Sequence, residues 1–287
     1  MPDVTAFPVA MRLPAARLPR IRSFVSVPVV LSDGSLYGTF CAAGLTSTRP
    51  TVVLQPIVEL ATGDRVGAEA LSRFPAEWGQ APDICFAAAH TIGLGDRLEL
   101  LAIERAAEHL GTVTGYLAMN VSPGTLMTPE CSELLARLPV ERVLLELSEH
   151  DPVEDYDALR STLAPLRQRG MRLAIDDVGA GFSSLRHIVV TTPDVIKLDR
   201  SLVDGVTGDP VLRTLVRSLV DFAHGFDATV VAEGVETAAD AATLLALDVD
   251  HGQGWHFGRP GQAADLANCP PRATRPASSP RAAAPTG

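Results

Sequence analysis

Hydrophobic and polar positions follow two rhythms along this chain, and the rhythm switches repeatedly. Short apolar, β-like runs, several broken by a single polar residue, occupy residues 52–60, 65–72, 116–121, 142–147, 172–176, 195–198, 229–232 and 254–257. Each reads as a β-strand. Between most of them, residues 96–110, 153–169, 210–224 and 238–247 space their apolar side chains three and four apart. Those stretches read as amphipathic helices. Repeated strand–helix units across 51–262 imply a mainly parallel sheet, either a closed (β/α)8 barrel or an open doubly wound sheet. An open sheet gathers its ligand groups at one switch point. Here polar residues end at least six different strands, which is the pattern of a barrel.

The flanks differ in character. Residues 1–50 begin rich in proline and arginine, then form two β-like runs, 24–31 and 36–41, around Asp33-Gly34. Asp-Gly between strand-like runs predicts a hairpin. So short a piece cannot bury a core of its own. Residues 263–287 are rich in proline, alanine and serine and read as a disordered tail.

Composition narrows the partners. The chain has 287 residues, of which 46% are hydrophobic, enough for a sizeable core. Its net charge of −10 argues against a nucleic-acid polymer as partner, since such binders present excess lysine and arginine. A small anionic ligand would need local cations or metal ions to approach. Four scattered cysteines, Cys41, Cys85, Cys131 and Cys269, form no metal-binding pair and read as reduced thiols of a cytoplasmic protein. No apolar run approaches the ~20 residues of a membrane helix, and the N-terminal stretch lacks the apolar core of a signal peptide. No membrane association is expected.

The chemistry lies where polar residues interrupt apolar strands: Glu69, Asn120, Glu146, Asp176, Asp177 and Glu233. An unpaired ionised carboxylate inside a protein costs several kcal/mol, so such a group is paired, protonated or bound to metal. Alternation turns Leu145 and Leu147 to one face and Glu146 to the other, which aims Glu146 into the barrel. Five carboxylates face a single candidate cation, Lys197. Two divalent ions would balance the remainder. Oxygen donors with one amide, and no histidine or thiolate, favour hard ions such as Mg²⁺ or Mn²⁺. Two such ions sharing a carboxylate are a common device for phosphodiester hydrolysis. Taken singly, each residue reads as readily as a salt-bridge partner or a cap. Residues 176–185 also partly mimic a glycine-rich dinucleotide loop but lack its third glycine.

The segment from Leu54 to Phe74, with Glu69-Ala70-Leu71 at its centre, closely resembles the signature of the EAL family of cyclic di-GMP phosphodiesterases. The remaining carboxylate and amide segments follow in the family's order across residues 51–262. The resemblance implies a modified (β/α)8 barrel whose first strand runs opposite to the rest. It implies metal ligation by Glu69, Asn120, Glu146, Asp176, Asp177 and Glu233, with two ions per site. Lys197 is matched to a lysine beside the water or phosphate, and Glu236 to the residue holding the loop after the paired aspartates. Among these, Glu69, Lys197, Glu233 and Glu236 are the expected catalytic groups. Arg73, Leu71 and Gln253 are matched to substrate contacts. The implied reaction is hydrolysis of cyclic di-GMP to linear pGpG, with a non-catalytic cyclic di-GMP receptor as the alternative and a homodimer as the expected assembly. Residues 21–42 are similar to the closing hairpin of GAF sensory domains, so 1–50 reads as a GAF-like remnant and linker. Some positions depart from the family pattern. The loop after the aspartates reads Val178-Gly179-Ala180-Gly181-Phe182. The helix expected before Gln55 is replaced by a linker at 46–51, which predicts weaker barrel closure.

Overall fold

The computed structural model describes residues 23–30, 36–44, 50–75, 80–148, 152–179 and 184–267. Strands β1 (Ser23–Val30) and β2 (Leu36–Gly44) pair antiparallel as a separate two-stranded sheet. The two strands of the expected hairpin are therefore present; its Asp33-Gly34 turn lies outside the described residues.

The other eight strands close a barrel in chain order: β3 (Thr51–Glu59), β4 (Arg65–Arg73), β5 (Tyr116–Asn120), β6 (Val143–Ser148), β7 (Arg172–Val178), β8 (Val195–Leu198), β9 (Thr229–Ala232) and β10 (His251–Gln253). β3 is antiparallel to both β4 and β10, and every other neighbouring pair is parallel. The barrel with one reversed strand is thus the observed architecture. β10 pairs with β3, and a bridge between Leu54 and Gly261 extends the seam. The barrel is closed although most of the 46–51 linker lies outside the described residues.

The helices are α1 (Pro82–Thr91), α2 (Gly95–Ala107), α3 (Pro123–Leu126), α4 (Pro129–Ala136) and α5 (Tyr156–Gln168), followed by α6 (Ser184–Thr191), α7 (Arg200–Val203), α8 (Pro210–His224), α9 (Ala238–Ala246) and α10 (Ala263–Ala267). Their starts follow local chemistry. Ser122, Thr128, Asp155, Asp199, Asp209 and Thr237 each accept a backbone N–H of the first turn, supplying partners that a helix end otherwise lacks.

Most boundaries shift by one to three residues from the sequence reading, and two differ in kind. The last strand is His251–Gln253, three residues before the apolar run 254–257. At Gly254 φ is +155°, and a Cβ there would sit 2.2 Å from the Val235 carbonyl oxygen. The backbone of the 233–237 loop occupies the space a strand residue would need, so the chain turns: both Phe257 and Gly258 donate N–H to the Gly254 carbonyl at 3.1 Å. At the C-terminus the sequence reading begins a tail at 263, whereas α10 packs on β3 and buries Leu266 against the core. Residues 268–287 lie outside the described residues.

Strand alternation divides the apolar residues into two cores. The larger lies between strands and helices and holds Leu117, Met119, Leu145, Leu147, Leu173, Ile175, Ile196 and Leu198. The smaller fills the barrel with Ile57, Tyr116, Ala118, Leu144, Ala174, Val195 and Val231.

Candidate metal centre

Moving two residues along each strand from this inner apolar layer, toward the end where the parallel strands finish, converts it into a polar one. Ala118 leads to Asn120, Leu144 to Glu146, Ala174 to Asp176, Val195 to Lys197 and Val231 to Glu233. On the reversed strand the step runs backward, from Ile57 to Gln55. Gln55 is paired in register with Glu69, and Asn120 with Glu146. A period of two therefore brings six strands' polar side chains into a single layer. Glu69, on β4, and Gln253, at the end of β10, complete it.

Lys197 sits at the middle of this layer, with no accessible surface. Its Nζ lies 2.6 Å from Glu233 Oε1, 3.0 Å from both Glu146 Oε1 and Asp176 Oδ2, and 3.7 Å from Glu69 Oε2. Burial alone would lower the ammonium's pKa. Asp176, Glu146, Glu233 and Glu69 outweigh it and hold Lys197 protonated, well above its ordinary range. One cation cannot neutralise four carboxylates. Burial pushes the Glu146 carboxyl well above its usual value; Lys197 pulls it down, and Glu69, Asp176 and Glu233 push it further up. Glu233 is raised to about 8, by burial first and then by Asp176 and Glu69, against the pull of Lys197.

Asp176 and Asp177 are consecutive, so regular alternation would turn them to opposite faces. The β7–β8 register shifts between Ile175 and Val178, and Asp177 adopts φ = 58°. Aspartate tolerates this left-handed conformation better than most residues. The irregularity lets both carboxylates border one cavity of about 360 Å³, together with Gln55, Glu69, Leu71, Glu233 and Gln253. Oxygens of Glu69, Glu146 and Asp176 lie within 4.8 Å of one another, as do those of Asp176, Asp177 and Glu233.

The amides orient the first of these sets. Asn120 Nδ2 donates to Glu69 Oε1 at 3.1 Å, and Gln253 Nε2 donates to Glu69 Oε2 at 2.5 Å and to Gln55 Oε1 at 3.2 Å. Glu146 is fully buried, yet neither of its oxygens accepts a hydrogen bond. Lys197 approaches one of them only as an ion-pair partner. Buried oxygens left in this state mark a place for an additional electron-pair acceptor. The donors are carboxylates, with an amide alongside, so the site fits a hard divalent cation.

Not every expected site residue joins the cluster. Arg73 lines an adjoining cavity of about 570 Å³ with Asn120 and Glu146, and its Nη1 donates to the Ser72 carbonyl at 2.9 Å. Leu71 borders both cavities. Glu236 stands at the rim, paired with Arg200 at 2.8 Å. The loop it was expected to hold, 180–183, lies outside the described residues. Sequence reasoning passed over Gln55. Its signal was an amide two residues before Ile57 on a barrel strand, the same offset that marks the carboxylates.

An uncharacterised protein of Mycobacterium tuberculosis is 34% identical over 232 residues, covering 76% of this chain and 37% of that protein. The probable cyclic di-GMP phosphodiesterase PdeB of Escherichia coli is 29% identical over 218 residues, covering 71% of this chain and 41% of PdeB. This chain thus spans less than half the length of either relative. Among solved structures, a calcium and cyclic di-GMP complex of Klebsiella pneumoniae BlrP1 matches with a TM-score of 0.65 at 35% identity, over 74% of this chain and 56% of that one. The cyclic di-GMP complex of the PaMucR phosphodiesterase matches with a TM-score of 0.67 at 26% identity, over 76% and 94%. The model of the EAL domain begins at residue 43, which leaves the GAF likeness of the preceding segment without support. Its match runs through residue 260 and takes in every barrel strand, so the chain belongs to the EAL domain family.

Proposed function

We propose that this chain hydrolyses one phosphodiester bond of cyclic di-GMP to give linear pGpG. The observation that carries the reading is the polar layer itself: four carboxylates around one fully buried lysine, with the oxygens of Glu146 left without hydrogen bonds. Relatives described as a cyclic di-GMP phosphodiesterase or as cyclic di-GMP complexes support the substrate.

Glu69, Asn120, Glu146 and Asp176 would hold one divalent cation, Mg²⁺ or Mn²⁺, and Asp176, Asp177 and Glu233 a second. When bound, the ions supply Lewis acidity and positive charge for phosphodiester hydrolysis. The chain's own residues then set the reaction. Lys197 keeps the carboxylates converged and offsets part of their charge. Glu233, at the open side of the layer, accepts the proton of the attacking water. The water oxygen bonds to phosphorus as the bond to the 3′-oxygen breaks, and that oxygen takes up a proton from solvent to leave as a hydroxyl. Arg73 presents a planar fork of donors to a phosphate from the adjoining cavity, with Leu71 and Gln253 lining the substrate's path. Glu236 steadies the rim through Arg200. A homodimer in the cytoplasm is the assembly and location this reading carries with it.

Chromatography of the products formed by the full chain with Mg²⁺ or Mn²⁺, beside Glu69→Ala, tests the proposal. Linear pGpG from the unsubstituted chain alone is the expected result. Intact cyclic di-GMP bound to a folded chain would overturn hydrolysis and reassign the protein as a receptor.

A further inference from the structure

Glu99, on α2, lies outside the polar layer, and the reaction above makes no use of it. Its side chain is almost completely buried, and both of its oxygens are engaged. Oε2 accepts the Ser122 backbone N–H at 2.8 Å, and Oε1 lies 2.7 Å from His90 Nε2, on α1. No arginine or lysine pairs with it among the described residues. Burying a carboxylate without a permanent cation costs stability unless hydrogen bonds compensate. The hydrogen bond to Ser122 is charge-assisted, stronger than one to a neutral acceptor.

The location of that grip gives it consequence. Asn120 ends β5, and the two peptide N–H groups that follow are held by different elements, β6 and α2. Val121 donates to the Glu146 carbonyl at 3.0 Å, and Ser122 donates to Glu99. Asp96, one turn before Glu99, accepts from Thr125 Oγ1 at 3.2 Å, while Ser122 Oγ caps α3 through the Thr125 N–H at the same distance. The turn after β5 is therefore clamped to α2 by two carboxylates. Asn120 is exposed at the end of its strand, and its side chain reaches the polar layer through the hydrogen bond to Glu69. Its direction toward Glu69 depends on the backbone behind it.

We propose that Glu99 is a positioning residue for the metal centre: steadied by His90, it fixes the backbone after Asn120 and thereby the direction of the Asn120 side chain. This rests on the reading of the polar layer as a divalent-cation site. Partners that orient a metal ligand without touching the ion typically contribute about 10–100-fold to affinity.

Calorimetric titration of Mn²⁺ into the full chain and its variants tests this without any turnover. Glu99→Ala is expected to weaken Mn²⁺ binding by at least about tenfold, while Glu99→Gln, which keeps an acceptor for Ser122, restores most of the affinity. In an Asn120→Ala background, adding Glu99→Ala is expected to change affinity by less than about twofold, because its route to the ion is gone. Where Glu99→Ala fails to fold by circular dichroism, His90→Ala is the milder probe, with a smaller loss that also vanishes in the Asn120→Ala background. A Glu99→Ala penalty that persists in full without Asn120 would overturn the proposal, as would unchanged Mn²⁺ binding by Asn120→Ala. In either case, loss of binding in Glu69→Ala leaves the metal centre itself standing. Normal Mn²⁺ binding by Glu69→Ala would instead overturn the metal centre and the positioning role together.

Discussion

Lys197 and Glu146 are the two ends of one electrostatic arrangement. The lysine is the cation common to four carboxylates, and Glu146 is the most deeply buried of the four. Replacing Lys197 by methionine removes the charge and keeps most of the volume. The metal-free protein is then expected to lose about 3–5 kcal/mol, the usual cost of breaking a buried ion pair from one side, measured by urea unfolding in chelator. An unchanged midpoint would mean that the carboxylates are already neutral without the lysine. Glu146→Gln acts in the opposite direction. Its carboxyl is pushed up by burial and by its neighbours, so a neutral amide is expected to raise metal-free stability by about 1 kcal/mol while weakening metal binding. Equal stabilisation of both proteins by Mn²⁺ would remove Glu146 from the ligand set. Much of this was legible residue by residue, because a carboxylate inside an apolar strand stands out. The fourfold environment of Lys197 was not, since Ile196-Lys197-Leu198 alone does not say what the barrel interior contains.

At the scale of elements, strand alternation did most of the work and failed where a neighbouring backbone intervened. The run 254–257 is apolar enough for a strand, yet the 233–237 loop packs on Gly254 and ends β10 at Gln253. Gly254→Ala is expected to cost about 2–3 kcal/mol in urea unfolding, through contact with Val235 and an unfavourable backbone angle. It should also reduce turnover, because Val235 lies between Glu233 and Glu236. Wild-type stability would show that the loop can withdraw freely. The short helices α3, α4 and α7 were missed for a different reason: four to eight residues show too little periodicity, although their caps were visible. α4 carries a pH signature. Burial, with Glu99 nearby, raises the Cys131 thiol from 9.0 to about 11. A raised folded pKa contributes stability in full below the unfolded value and loses it as pH climbs through the folded one. Unfolding free energy should therefore fall between about pH 9 and 11, and less steeply in Cys131→Ala. Parallel pH curves for the two proteins would exclude the thiol as the cause.

For the molecule as a whole, the polar layer is a stability cost that a ligand can offset. Mn²⁺ at about a hundred times its dissociation constant should add about 2.7 kcal/mol. In a domain of this size that is roughly 5–10 °C in Tm. Scanning calorimetry with and without the ion measures it, and an unmoved Tm would contradict the metal centre. The sequence alone determined the alternation of strands and helices, hence a barrel, and the residue types at its strand ends, because backbone periodicity and the cost of burying charge are local properties. Its periodicity did not show how consecutive Asp176 and Asp177 come to border one cavity, that Gln55 joins them, or that Glu99 grips the turn behind Asn120. These depend on register shifts and on contacts between segments far apart in the chain. Only closure of the barrel brings those segments within hydrogen-bonding distance.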